Sequence, residues 1–180
     1  PMYRNMQRAA ILFLTTFAFT ASTWAYESVK SYQENPSSLK VLVFLSKNCP
    51  CSRSHVDHLN GLSQKYPNIA FYGVITDFFD KDSEPEIKAY FDSQNFKFPL
   101  IKDSEQMLVK KYGALKTPFS VIVQNQSSQE QVLYEGGVSD DHDFPSSTKH
   151  YLEENLAALA QGKDPIYKVG KSLGCYIRRF

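Results

Sequence analysis

Lys40-Val-Leu-Val-Phe-Leu45 is an almost unbroken apolar run, which predicts a strand buried on both faces. From Ser52 to Tyr66 the pattern changes to helical spacing, with Val56, Leu59, Leu62 and Tyr66 on one side and Pro67 as the stop. Ile69 to Ile75 reads as a second buried strand. Ser83 then caps a helix reaching Tyr90, with Glu84 and Glu86 favourably placed in its first turn. A short strand is expected over Phe98 to Ile101. Asp103 or Ser104 caps the next helix, Glu105 to Tyr112, which Gly113 ends. Phe119 to Gln124 and Gln131 to Tyr134 predict two strands joined through polar residues 125–130, as in an antiparallel hairpin. A last helix runs from about Ser147 to Ala160 and ends at Gly162. Alternating strands and helices followed by a hairpin imply an α/β fold of three layers, a mixed central sheet with helices on both faces.

The flanks read differently. Residues 1–25 carry Arg4 and Arg8, an apolar run from Ala9 to Ala21, and small residues at Thr23 and Ala25, the pattern of a signal peptide. That run has 13 residues, short of the roughly 20 that span a bilayer. An uncleaved anchor is the alternative, and after cleavage no membrane contact is expected. Residues 26–38 are polar, with Pro36 and two serines after it, and read as a linker; residues 163–180 read as a tail beyond the folded domain, 39–162. The 180-residue chain has 20 basic and 19 acidic residues, a net charge of +1. The leader holds two of the basic residues and no acid, which leaves 18 basic against 19 acidic residues and removes the case for nucleic acid. Export implies a periplasmic or secreted protein in a compartment where disulfides persist.

Three cysteines, Cys49, Cys51 and Cys175, are too few and odd in number for a disulfide scaffold. Asn48-Cys49-Pro50-Cys51-Ser52 lies where the first strand gives way to a helix. The amides and partial positive charge of a helix start favour a thiolate there, and a strand end would point the sulfur toward substrates. The alternative is an inert, buried thiol.

Phe44 to Pro50 followed by a helix, with Thr117-Pro118 before a later strand, resembles the thioredoxin-like superfamily over about residues 39 to 162. With Tyr134-Glu-Gly-Gly-Val-Ser-Asp-Asp141 and Gly174-Cys175-Tyr-Ile added, the chain is similar to exported bacterial redoxin-domain proteins of the thioredoxin and alkyl-hydroperoxide-reductase-like group. The resemblance implies a thiol–disulfide oxidoreductase that needs no cofactor and acts on protein thiols or disulfides with a separate redox partner. It makes Cys49 the attacking thiolate, Cys51 a displaced resolving thiol, and Thr117 with Pro118 a cis-proline loop that docks substrate. Ser52 stands where the second cysteine of Cys-X-X-Cys would fall. A Cys-Pro-Cys disulfide would be strained and therefore oxidising.

Two rival readings remain. A resemblance to peroxiredoxins implies a thiol peroxidase: Ser46 holds their Ser or Thr position three residues before the reactive cysteine, although Leu42 stands where their proline would fall. Cys49, Cys51, His55 and His58 offer ligand types for zinc or copper. His55, however, falls within the apolar helical stripe, where a histidine is more often packed than ligating. Cys175 is left three possibilities: to resolve Cys49, to pair with another protein, or to pack as a free thiol. Asp77, Asp80 and Asp82, like Asp140, Asp141 and Asp143, lack EF-hand spacing and read as solvated loop acids.

Overall fold

The computed structural model describes residues 26–79, 81–126 and 129–179; the expected signal peptide, 1–25, lies outside the described residues. Helices and strands follow in the order α1 (Val29–Glu34), β1 (Leu39–Leu45), α2 (Pro50–Ser54), α3 (Val56–Lys65), β2 (Ala70–Ile75), α4 (Glu84–Ser93) and β3 (Leu100–Lys102). They continue with α5 (Met107–Lys111), β4 (Lys116–Thr117), β5 (Phe119–Gln126), β6 (Gln129–Gly136), α6 (Tyr151–Ala160) and β7 (Cys175–Tyr176).

The main sheet has five strands in the order β3-β2-β1-β5-β6. β1 pairs parallel with β2 and antiparallel with β5, so the sheet is mixed and β1 is its centre. Side chains alternate across a strand, and β1 uses both directions. Val41, Val43 and Leu45 enter one core with α3, α4 and α6 residues such as Leu59, Phe91 and Leu156. Leu42 and Phe44 enter the other with Tyr32 of α1 and Leu108 and Val109 of α5. Each such fully buried side chain contributes about 1.5–3 kcal/mol. The continuous apolar run therefore follows from having helices on both faces, and the fold is the thioredoxin-like α/β architecture expected.

Local signals act as expected at several ends. Ser83 and Glu86 form a capping box at α4, and Gly113 takes φ +61° just beyond α5. α5 itself starts at Met107 and not Glu105, with Gln106 at φ +55° as its N-cap residue, while the Asp103 carboxylate accepts the amides of Leu108 and Val109. The single helix expected from Ser52 to Tyr66 is instead two, α2 and α3, parted at His55. α6 starts at Tyr151 rather than near Ser147 because the Asp140 carboxylate takes the amides of Thr148 and Lys149.

Both flanking segments depart from the reading as linker and tail. Residues 26–38 contain α1, capped by Ser28, and the Glu27 amide and carbonyl bond to β3 at Leu100 and Lys102. Tyr32 is fully buried, its hydroxyl bonded to Tyr112 and to Glu130. One anchoring side chain in a polar stretch leaves no periodicity to read. Residues 163–180 also pack on the domain. Asn155 of α6 bonds both the amide and the carbonyl of Tyr167, and Glu135 exchanges backbone hydrogen bonds with Lys168 and Gly170. A Cβ on Gly136 or Gly137 would meet the backbone of Gly170 or Lys171, so the glycine pair permits this close approach. Beyond it β7 pairs antiparallel with β4, and Ile177 is buried in the second core.

Candidate active site

β1 delivers the chain into a short loop, Ser46 to Asn48, that a buried acid holds in place. Asp77, fully buried after β2, accepts the Ser46 hydroxyl at 2.6 Å and the Lys47 amide at 2.8 Å. Asp82 accepts from the Asn48 side chain at 2.6 Å and pairs with Lys47 at 3.0 Å. Asp77 is thus a structural clamp and not a solvated loop acid. Ser46, the residue that suggested a peroxidase, has its hydroxyl committed to that clamp.

Cys49 is the N-cap residue of α2, and Pro50 follows at a position where a missing amide hydrogen costs nothing. The Thr117-Pro118 peptide is cis. It lies across from Cys49, whose thiol donates to the Thr117 carbonyl oxygen at 3.0 Å. Cys49, Thr117 and Pro118 come together as expected, but the expectation that Cys49 faces solvent fails: it is completely buried. The cover is the chain's own tail. β7 pairs with β4 so that Cys175 lies opposite Thr117, and the Ile177 amide donates to Leu115 O at 2.9 Å. Ser172 Oγ donates to Pro118 O at 3.3 Å. Gly174, at φ +154°, passes so close to the Thr117 carbonyl that a Cβ would overlap it.

The tail brings a third thiol. The sulfurs of Cys49, Cys51 and Cys175 all lie within 4.8 Å of one another, and none is in a disulfide. Burial by itself would raise the Cys49 thiol. Hydrogen bonds from Cys175, Thr117 and the amides of Ser52 and Cys175 outweigh it and hold the pKa at about 7, against an ordinary 9.0. Cys175 is pushed up to about 12 by its own burial and by the neighbouring Cys49, and Cys51 is raised for the same two reasons. One thiolate flanked by two protonated thiols is the favoured arrangement, and its ionisation owes more to the hydrogen bond from Cys175 than to the five-residue helix α2. Cys175 and Cys51 are half-buried. Beside Cys175 an open cavity of about 340 Å³ is walled by Asn48, Asp82, Tyr176 and Arg178.

The histidines are not at the cluster. His55 is buried, with Nδ1 against Cys51 O at 2.7 Å and Nε2 against Ser139 Oγ at 2.9 Å. His58 stacks on Phe144 with ring centroids 4.1 Å apart, and burial pushes its pKa down to about 4. The helical spacing of Cys51, His55 and His58 does not make them ligands together, because both imidazoles turn toward residues 139–144. What the sequence concealed is Cys175's place at the site. The one available signal was its position after a glycine in a chain with an odd number of cysteines.

A family model described as the AhpC/TSA family matches residues 15–134. No match is found among curated proteins. Among solved structures, a hypothetical protein from Sinorhizobium meliloti is similar at 22% identity and a TM-score of 0.68, covering 84% of each chain. An uncharacterized conserved protein from Geobacillus kaustophilus is similar at 23% identity and a TM-score of 0.67, covering 80% of this chain and 78% of its own. A secreted Mycobacterium tuberculosis disulfide oxidoreductase superposes less fully, at 18% identity and a TM-score of 0.41, over 51% of this chain and 72% of its own.

Proposed function

Because the chain belongs to the AhpC/TSA family, we propose that it is a thiol–disulfide oxidoreductase in which Cys49 attacks and Cys175 resolves. The observation that carries this reading is the pairing of β7 with the cis-proline strand, which sets Cys175 opposite Thr117 and its sulfur beside that of Cys49. In the reducing direction the Cys49 thiolate attacks a substrate disulfide, forming a mixed disulfide and releasing one substrate thiolate. Cys175, losing its proton, then attacks the Cys49 sulfur, which releases the second substrate thiolate and leaves a Cys49–Cys175 disulfide. Two electrons pass to the substrate, and a dithiol reductant resets the pair. The reverse sequence oxidises a substrate dithiol.

Cys175 suits the resolving role better than Cys51. It comes from a separate strand, whereas a Cys49–Cys51 bridge must bend around one proline. Thr117 and Pro118 hold the tail in this state. An extended peptide would take the same strand edge, and a disulfide would reach the buried Cys49 sulfur, only after β7 lifts. Action on protein thiols or disulfides outside the cytoplasm is the setting that the leader's pattern supports.

The test compares wild type, Cys49→Ser and Cys175→Ser in reduction of a disulfide substrate, with mass mapping of the oxidised wild type. Loss of activity in Cys49→Ser and a Cys49–Cys175 bridge are expected. Equal activity in Cys49→Ser would retire the proposal.

A further inference from the structure

Disulfide exchange between Cys49 and Cys175 leaves one thiol over. Cys51 has no part in it, yet its sulfur stays within 4.8 Å of both others. Three thiolates about 2.3 Å from a common ion stand roughly 3.8–4.0 Å apart, so the cluster needs to contract by about 1 Å or less. Its three sulfurs come from fixed places: the cap of α2, the first turn of α2, and a strand pinned to β4. Electrostatics favours a cation here. Three thiolates this close together repel one another unless positive charge lies between them.

The donor set selects the ion. Among the described residues the cluster holds only sulfur, with no imidazole or carboxylate. Closed zinc sites take four ligands, while an all-thiolate, low-coordinate set suits a soft monovalent ion. We propose that Cys49, Cys51 and Cys175 form a three-sulfur site for cuprous ion, with the β7 tail as the clasp that closes it. The His55 and His58 ligands suggested by sequence spacing are replaced by Cys175. Binding releases the thiol protons to solvent and transfers no electron, so copper remains cuprous. This goes beyond the redox reading and requires only reduced sulfurs; a Cys49–Cys175 disulfide and the bound ion exclude one another.

The experiment titrates the reduced full chain, without oxygen, with Cu(I) buffered by a chromophoric chelator, and measures the sulfur shell by X-ray absorption. One copper per chain with three sulfurs is expected. Cys51→Ser should leave two sulfurs and weaken binding by at least about tenfold, or about 1.4 kcal/mol, while still forming the Cys49–Cys175 disulfide. Cys175→Ser should weaken binding comparably, and His55→Ala should leave it unchanged. Absence of copper uptake, a shell of two sulfurs in wild type, or zinc bound in preference to Cu(I) would overturn the proposal. Intact disulfide formation with no copper site would sink this inference alone, whereas copper binding with inert thiols would sink only the oxidoreductase reading.

Discussion

Cys49 is governed by two opposed effects at one atom. Desolvation disfavours its thiolate, and donated hydrogen bonds favour it, led by the one from Cys175. Iodoacetamide alkylation of Cys49 should therefore rise with a midpoint near pH 7, and Cys175→Ala, which removes the thiol donor, should move that midpoint up. The same shifts set a pH dependence of stability in the reduced protein. Cys49's folded pKa lies below its ordinary value, so its contribution is complete above pH 9 and is lost as pH falls through 7. Cys175's lies above, so its contribution is complete below pH 9 and is lost as pH rises toward 12. Together they put the cysteines' maximum contribution near pH 9. Urea denaturation of wild type against Cys49→Ser should show a stability difference growing from pH 7 to 9, on the order of 2 kcal/mol. A constant difference would mean that the thiolate is not selectively stabilised.

Among the elements, β7 decides access and α1 decides packing. β7 approaches the cis-proline strand only because Gly174 lacks a Cβ and adopts φ +154°. Gly174→Val should unseat the strand, speed alkylation of Cys49 and reduce the yield of the Cys49–Cys175 bridge, all read by mass mapping. The variant's circular dichroism should stay close to wild type, because the central sheet does not depend on β7. At the other flank, α1 is fixed by Tyr32, which fills the second core beside Tyr72 and carries the buried Lys40 ammonium over its ring. Tyr32→Ala should cost about 3–5 kcal/mol, measured by denaturant unfolding. A loss under 1 kcal/mol would mean that the segment behaves as a linker after all.

Across the whole molecule, a disulfide between residues 49 and 175 would close nearly the entire domain into one loop. Bridging a loop of this length restricts the unfolded chain by roughly 4–5 kcal/mol. Oxidation should therefore raise the unfolding midpoint in denaturant, and Cys175→Ser should abolish the difference between oxidised and reduced samples. Cys51→Ser should preserve it, since Cys51 is not needed for the bridge. The two flanks matter to the same picture. α1 closes one face of the sheet, and the tail closes the site, so the functional unit extends beyond the domain that hydrophobic patterning outlines.

The sequence by itself determined the sheet and most of its helices. Buried strands and capped helices leave local marks, such as the run from Lys40 to Leu45, the Ser83–Glu86 box and Gly113. It also singled out Cys49, because a cysteine at a helix start is visible within a few residues, while the Thr117-Pro118 peptide stood out only through the family resemblance. Tertiary structure alone decided that Cys49 is covered, that Asp77 is a buried clamp, that His55 and His58 turn away, and that Cys175 completes the thiol cluster. Each of these depends on contacts between residues distant in the chain, made through single side chains or bare backbone at Gly136, Gly137 and Gly174. Such contacts have no period and no composition, so nothing local announces them.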